Sequence, residues 1–228
     1  MMKENTSNLL PSLNIGAWKD STIDALISEI MSLAPCPLIL IDGAGGSGKS
    51  TLANIISKKL EANLVHTDDV CWYGDIIDWD QEVIHGIIEP WRSRENVSYR
   101  PSGWVLKNRS GAIKINPLKP LIIEGMGADR KSLLNLADYS IWVETEPETA
   151  RERLILRDIE TGENGGTRES SIEFANWFDS QLTPFLLEES PWDNVNIIVN
   201  GMNLDNIKEE IQVHTLVVSD GDKGKNHV

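Results

Sequence analysis

The chain has 228 residues, enough for one generous domain that buries its own core without disulfide or metal staples. Asp and Glu number 35 against 21 Lys and Arg, a net charge of −14 that excludes general binding to nucleic-acid polymers or anionic membranes. A small anionic ligand held in a local basic pocket stays compatible with that charge.

The polar opening MMKENTSNLLPSLNIGAW has no basic-then-apolar leader pattern, and Leu38–Ile41 is too short to cross a bilayer. Cys36 and Cys71 are too few for a disulfide framework. Together these predict a cytoplasmic protein, and a homo-oligomer is compatible with the composition. Ser21 with Asp24 three residues on reads as the start of an amphipathic helix that carries Ile23, Leu26, Ile27, Ile30 and Leu33. Pro35 and Pro37 stop it. Five strands are then predicted: Leu38–Asp42, Asn63–His66, Leu121–Glu124, Ser140–Glu144 and Val195–Asn200. They are apolar without strict alternation, as for strands covered on both faces. Helical patterns at 49–61, 147–157 and 171–189 separate them, which predicts a parallel α/β sheet. Residues 72–120 differ, with four Trp, several Pro and weak periodicity, and are read as an insertion at the sheet's C-terminal edge. Residues 1–218 form one predicted domain and 219–228 a flexible tail.

Gly43-Ala44-Gly45-Gly46-Ser47-Gly48-Lys49-Ser50, followed by Thr51, fits G-x-x-x-x-G-K-[ST] between an apolar strand and a helix. The glycines let successive backbone N–H groups face phosphate oxygens, and the helix adds its positive end. Lys49 reaches the β- and γ-phosphates and the Ser50 hydroxyl suits Mg²⁺. A nucleoside triphosphate, ATP or GTP, is therefore expected. No N-K-x-D run reads guanine as in GTPase switches. A small-molecule kinase also needs a carboxylate, an acceptor pocket and a cover. His66-Thr67-Asp68-Asp69 ends the second strand, where one acid can orient or deprotonate an acceptor hydroxyl or else cap a turn. Glu124 ends the third as a Mg²⁺-water or acceptor-orienting carboxylate. Thr145-Glu-Pro-Glu148 reads as a cap. Beyond it Arg153 and Arg157 share a helix face before a Gly-rich stretch, so that 153–170 reads as a lid. Arg157 suits the charge of a moving γ-phosphoryl group, whereas Arg151 reads as a solvated helix residue.

Ile41-Asp42-Gly43 through Thr51, His66-Thr-Asp68-Asp69, Ile123-Glu124-Gly125 and Arg153-Leu-Ile-Leu-Arg157-Asp158 resemble the uridine kinase-like P-loop kinases over roughly residues 37–201. The resemblance implies a P-loop NTPase fold with a five-stranded parallel sheet in the order 2-3-1-4-5. It also implies ATP with Mg²⁺ and transfer of the γ-phosphate to a hydroxyl, with Asp68 as the catalytic carboxylate. Arg153 and Arg157 then belong to the lid, and Tyr99, Arg100 and Arg109 fall where family members contact the acceptor. Asp69, Trp72, Tyr73 and Glu124 complete the acceptor side, and Ser50, Asp68 and Glu124 the metal side. Family members carry an aromatic pair directly after the acid; here Val70-Cys71 intervenes before Trp72-Tyr73. Ile-Asp-Gly before the cradle also resembles the cytidylate kinases, whose acceptor-binding Asp-Thr-Gly is not found after the second strand. The acceptor is thus expected to be a nucleoside or nucleoside-like compound. Alternatives are a nucleoside monophosphate held by Arg92, Arg100 and Arg109, a natural product or antibiotic, or a non-enzymatic ATP-binding module. Most insertion tryptophans are expected to pack, with Trp72 the exception. His66 and His85 are too isolated to suggest a metal site.

Overall fold

β2 (Leu38–Asp42) is buried over its whole length and forms the axis of the sheet. A computed structural model describes residues 9–206 and 209–215 of the chain. The sheet has seven strands: β1 (Lys19–Thr22), β2, β3 (Asn63–His66), β6 (Leu121–Glu124), β7 (Tyr139–Glu144), β8 (Ile197–Asn200) and β9 (Glu210–Thr215). Their order is β1-β9-β8-β7-β2-β6-β3. The five strands from β8 to β3 are parallel, in the 2-3-1-4-5 order expected. The expectation of a five-stranded, wholly parallel sheet is corrected at one edge, where β9 pairs antiparallel with β8 and β1 antiparallel with β9. The sheet is mixed. β1 is short, polar and mostly exposed, so it carries no apolar pattern to betray it.

α1 (Ile23–Leu33) starts at Thr22, whose hydroxyl accepts from Ala25 N, rather than at the expected Ser21. α2 (Lys49–Leu60) leaves the glycine loop and buries Leu52, Ala53 and Ile56 on one face of the sheet with α1. The other face carries Leu38, Leu40, Leu121 and Ile123 and is covered by the 72–120 segment together with Leu133. That segment follows α3 (Thr67–Val70). It holds α4 (Asp80–Val83), a π turn at Ile84–Ile88, α5 (Glu89–Arg92) and α6 (Ser102–Leu106), with a separate antiparallel pair of β4 (Val97–Tyr99) and β5 (Ile113–Ile115). Trp79, Trp91 and Trp104 are buried there, while Trp72 is only partly covered. α7 (Lys131–Leu134) follows β6.

α8 (Pro147–Thr161) runs four residues past the predicted end and α9 (Arg168–Glu189) begins three before its predicted start. Little of 153–170 is therefore irregular: only the turn through Gly162, Gly165 and Gly166, with a Thr167 capping box, joins the two helices. Pro147 occupies the first turn of α8, and Glu146, not Thr145, caps it through Thr149 N at 2.8 Å. Thr145 instead donates to Ser47 O at 2.8 Å and ties the glycine loop to β7. Arg151, read from sequence as solvated, is buried against Asp179 and Asn176 of α9. No helix among the described residues is long and apolar enough to cross a membrane. The expected tail at 219–228 lies outside the described residues.

Candidate active site

Strand register brings the site together. Glu124 sits level with Ile41 on one side and His66 on the other, at the C-terminal ends of β6, β2 and β3. Gly43–Gly48 follow directly from β2, and Asp68 and Asp69 directly from β3. Residues more than 70 positions apart thus meet at one edge because parallel strands end on the same side.

The loop is shaped by contact as well as by conformation. Gly46 has φ +78°, and a Cβ there would lie 2.0 Å from Ala150 O of α8. Only glycine fits between that helix and the loop. Gly125, at φ +145° just after β6, likewise leaves no room for a Cβ beside the Thr67 hydroxyl.

Ser50 Oγ donates to Glu124 Oε1 at 2.8 Å, and His66 Nδ1 lies 2.5 Å from Glu124 Oε2. Glu124 is 2% exposed. Burial alone would push its carboxyl up. The His66 hydrogen bond, the Lys49 charge and the Ser50 hydroxyl outweigh burial and hold it below the ordinary carboxylate range. The Glu124 hydrogen bond in turn raises the His66 ring above its ordinary value. Lys49 Nζ reaches Ala44 O at 3.3 Å across the loop. A hydroxyl and an ionised carboxylate side by side, both hard oxygen donors, suit Mg²⁺, which takes one or two protein ligands and fills the rest with phosphates and water. Among the described residues no group of three or more His, Cys, Asp and Glu could hold a metal ion.

Asp68 is exposed, and its carboxylate has no protein partner within hydrogen-bond distance among the described residues. Asp69 differs: its Oδ1 accepts from Arg109 at 3.0 Å and its carbonyl from Trp104 Nε1 at 2.7 Å. The Arg109 guanidinium lies 3.8 Å from the Trp104 ring centroid and 4.8 Å from that of Trp72. Arg100 donates to Arg109 O at 2.6 Å. Asp69, Trp72, Arg100 and Arg109 therefore form one connected wall beside Asp68. Tyr73 is exposed at its rim, under Lys107. Tyr99 is turned into the insertion, its hydroxyl donating to Glu82 Oε2 at 2.8 Å. Removing the guanidinium in Arg109→Ala is expected to lower stability by about 1–2 kcal/mol, given a half-exposed ion pair and two ring contacts. Paired urea melts of the wild type and the variant measure the difference.

On the opposite side Arg153 spans to the start of the segment after β8, donating to Gly201 O at 3.0 Å and Met202 O at 2.9 Å. Arg157 is more than half exposed and pairs with buried Asp158 at 3.1 Å. Sequence reasoning passed over His66, now the partner of Glu124, and Asp42. Asp42 is wholly buried and accepts from Gly43 N at 2.7 Å, Gly127 N at 3.1 Å and Asp129 N at 3.0 Å. Its apolar strand context was the available signal.

A family model described as "AAA domain" matches residues 39–174, more than half of the chain, from β2 into α9. A solved structure from Silicibacter sp. TM1040, named "putative fructose transport system kinase", superposes with a TM-score of 0.57 at 21% identity. The match covers 74% of this chain and 95% of that one. A "Possible Uridine Kinase" from Bacillus stearothermophilus superposes at a TM-score of 0.47 and 17% identity, over 77% of this chain and 96% of that one. No curated protein matches the sequence.

Proposed function

The chain belongs to the AAA-domain family of P-loop proteins, and we propose that it is an ATP-dependent phosphotransferase that moves the γ-phosphate to a hydroxyl of a small molecule, a nucleoside or nucleoside-like compound. The observation that carries this reading is the unpartnered Asp68 carboxylate standing beside the Ser50–Glu124–His66 chain at the mouth of the glycine loop.

Backbone N–H groups of residues 43–48 and the start of α2 hold the phosphates, with Lys49 released from Ala44 O to the β- and γ-oxygens. Ser50 and Glu124, with Asp68 nearby at the same sheet edge, would hold Mg²⁺, which would supply charge neutralisation on those phosphates. Asp68 accepts the proton of the acceptor hydroxyl and holds its oxygen in line with the γ-phosphorus. Arg157 swings from Asp158 to offset charge as the phosphoryl group moves, and Arg153 anchors α8 beside the nucleotide. Trp72 and the Arg109 platform face the acceptor and exclude water from the transfer.

The arginine contacts favour a neutral acceptor over a nucleoside monophosphate. Arg109 is already neutralised by Asp69, Arg100 is spent on Arg109 O, and Arg92 is held by Leu136 O away from the wall. A purely binding role leaves a free acid at this mouth without a task. The test is an ADP-release screen over nucleosides, nucleoside monophosphates, vitamins and amino-sugars, read by product mass. A neutral hydroxylated acceptor should stimulate ADP formation and gain one phosphate. ATP binding with no stimulation by any acceptor would make the protein a binding module, and stimulation only by monophosphates would move it to that kinase class.

A further inference from the structure

Glu124 and His66 are neighbours by strand register. β6 and β3 run parallel, and His66 is the Cα partner of Glu124 at their C-terminal ends. β3 is the outermost strand of the sheet, so no further strand lies beyond the ring. The His66 side chain is therefore 41% exposed, while that of Glu124 is only 3% exposed.

A buried carboxylate needs a partner for each of its oxygens. Ser50 Oγ supplies one at 2.8 Å to Oε1, and His66 Nδ1 the other at 2.5 Å to Oε2. A ring nitrogen facing an ionised carboxylate carries its proton whether the ring is neutral or charged. Burial pushes the Glu124 carboxyl up, and the His66 hydrogen bond is the largest of the influences that outweigh it. The Ser50 hydroxyl has one proton and two lone pairs, so donating to Oε1 leaves its lone pairs free for a cation. Without His66, Oε2 has no hydrogen bond from any described residue, and the carboxylate loses the contact that fixes its turn. Mg²⁺ demands strict geometry of its few protein ligands, so a carboxylate free to turn holds it less well. Groups that orient a ligating side chain from behind are typically worth about 10- to 100-fold in metal affinity.

We propose that His66 is a positioning residue for the cation of the nucleotide site: its Nδ1–H locks the Glu124 carboxylate beside the Ser50 hydroxyl and so sets the site's affinity for Mg²⁺. His66 acts through Glu124 and binds neither the metal nor the phosphates. This role rests on the reading of Ser50 and Glu124 as metal ligands given above.

Mn²⁺ serves as the probe, titrated into the full chain bound to the nonhydrolysable ATP analogue AMP-PNP with protein in excess. The EPR signal of the free ion gives its dissociation constant. His66→Phe keeps a ring without a donor, and His66→Ala removes both; each should weaken Mn²⁺ by about 10- to 100-fold. His66→Asn returns an N–H close to the place of Nδ1 and should recover wild-type affinity to within about threefold. AMP-PNP affinity in EDTA should stay within about twofold in all three, because the metal-free phosphate contacts fall to the glycine loop. Circular dichroism and urea midpoints establish which variants are folded, and either donor-free variant carries the test alone. Unchanged Mn²⁺ affinity in a folded donor-free variant overturns the role. An equal loss in His66→Asn, or a matching loss of AMP-PNP affinity in EDTA, overturns it too, since a merely structural part would do both. Ser50→Ala separates the premise from the proposal. If Mn²⁺ weakens in Ser50→Ala but not in the donor-free variants, only His66 falls. If the wild type holds Mn²⁺ no better than free AMP-PNP does, the metal reading falls and the His66 role with it.

Discussion

Asp68→Asn is expected to lower kcat by about 10²- to 10⁴-fold while leaving ATP affinity within about twofold of wild type. The size follows from what the carboxylate would do. Asparagine keeps the shape and one acceptor oxygen, so the acceptor can still be oriented, but the amide cannot take the hydroxyl proton as the bond to phosphorus forms. ATP affinity should be spared because the proposed phosphate contacts fall to the 43–48 backbone and Lys49, and Asp68 has no side-chain hydrogen bond to them among the described residues. The surrounding fold should be spared too, since the side chain is exposed and has no hydrogen-bond or ion-pair partner among the described residues.

Asp69→Asn gives the contrasting result that makes the assignment specific. Asp69 is joined to Arg109 and is expected to change the acceptor KM more than kcat. Single-turnover measurements on both variants, with ATP affinity from equilibrium titration, separate the two roles. Normal turnover in Asp68→Asn would remove the residue from the chemistry and pass the proton-accepting role to another group.

The parallel core was legible in the sequence because fully buried strands leave continuous apolar runs, and the order of motifs then placed their ends. The edge was not. β1 reads Lys-Asp-Ser-Thr, and β9 reads EIQVHT, which alternates polar with buried apolar residues, so neither presents the continuous apolar run that marks a strand covered on both faces. The cap of α8 differed for a local reason: Thr145 looks like a cap, but with Pro147 in the first turn Glu146 caps the helix and Thr145 holds the loop. That the glycine loop, Asp68 and Glu124 meet at one sheet edge was legible, because parallel strands bring their C-terminal ends to the same side. What each neighbour does was not, because it depends on packing across the chain. Sequence cannot show that Arg109 is sandwiched by Trp72 and Trp104, or that Tyr99 faces Glu82. Nor could it show that Arg151 is a buried ion-pair partner, since α8 must first lie on α9.

Asp129→Asn is expected to stabilise the protein by about 1–3 kcal/mol at pH 8 and to change little below about pH 4. Asp129 is wholly buried, and neither carboxylate oxygen has a hydrogen-bond partner among the described residues. Burial, and then the nearby charge of Asp42, push its carboxyl well above the ordinary range. Asp42 is itself pushed up to about 6 by burial, although the Asp129, Gly43 and Gly127 N–H groups and the Lys49 charge pull it back. Both acids thus hold protons in the folded state at pH values where the unfolded chain has lost them. Stability is full below about pH 4, the ordinary carboxylate value, and is lost as pH rises through about 6 for Asp42 and further for Asp129. The amide cannot ionise, so it removes the Asp129 part of that loss and leaves the Asp42 part in place. Below about pH 4 the acid is protonated in the folded and the unfolded chain alike and nearly matches the amide in size and charge, so the two proteins should unfold together. Urea denaturation at about pH 3.5, 5 and 8 measures the difference, which must widen with pH. A constant difference, or a variant less stable than wild type at pH 8, would mean that Asp129 finds a stabilising partner for its charge. Because Asp42 binds the first residue of the glycine loop and Asp129 N together, the same pair fixes how firmly that loop is held as pH changes.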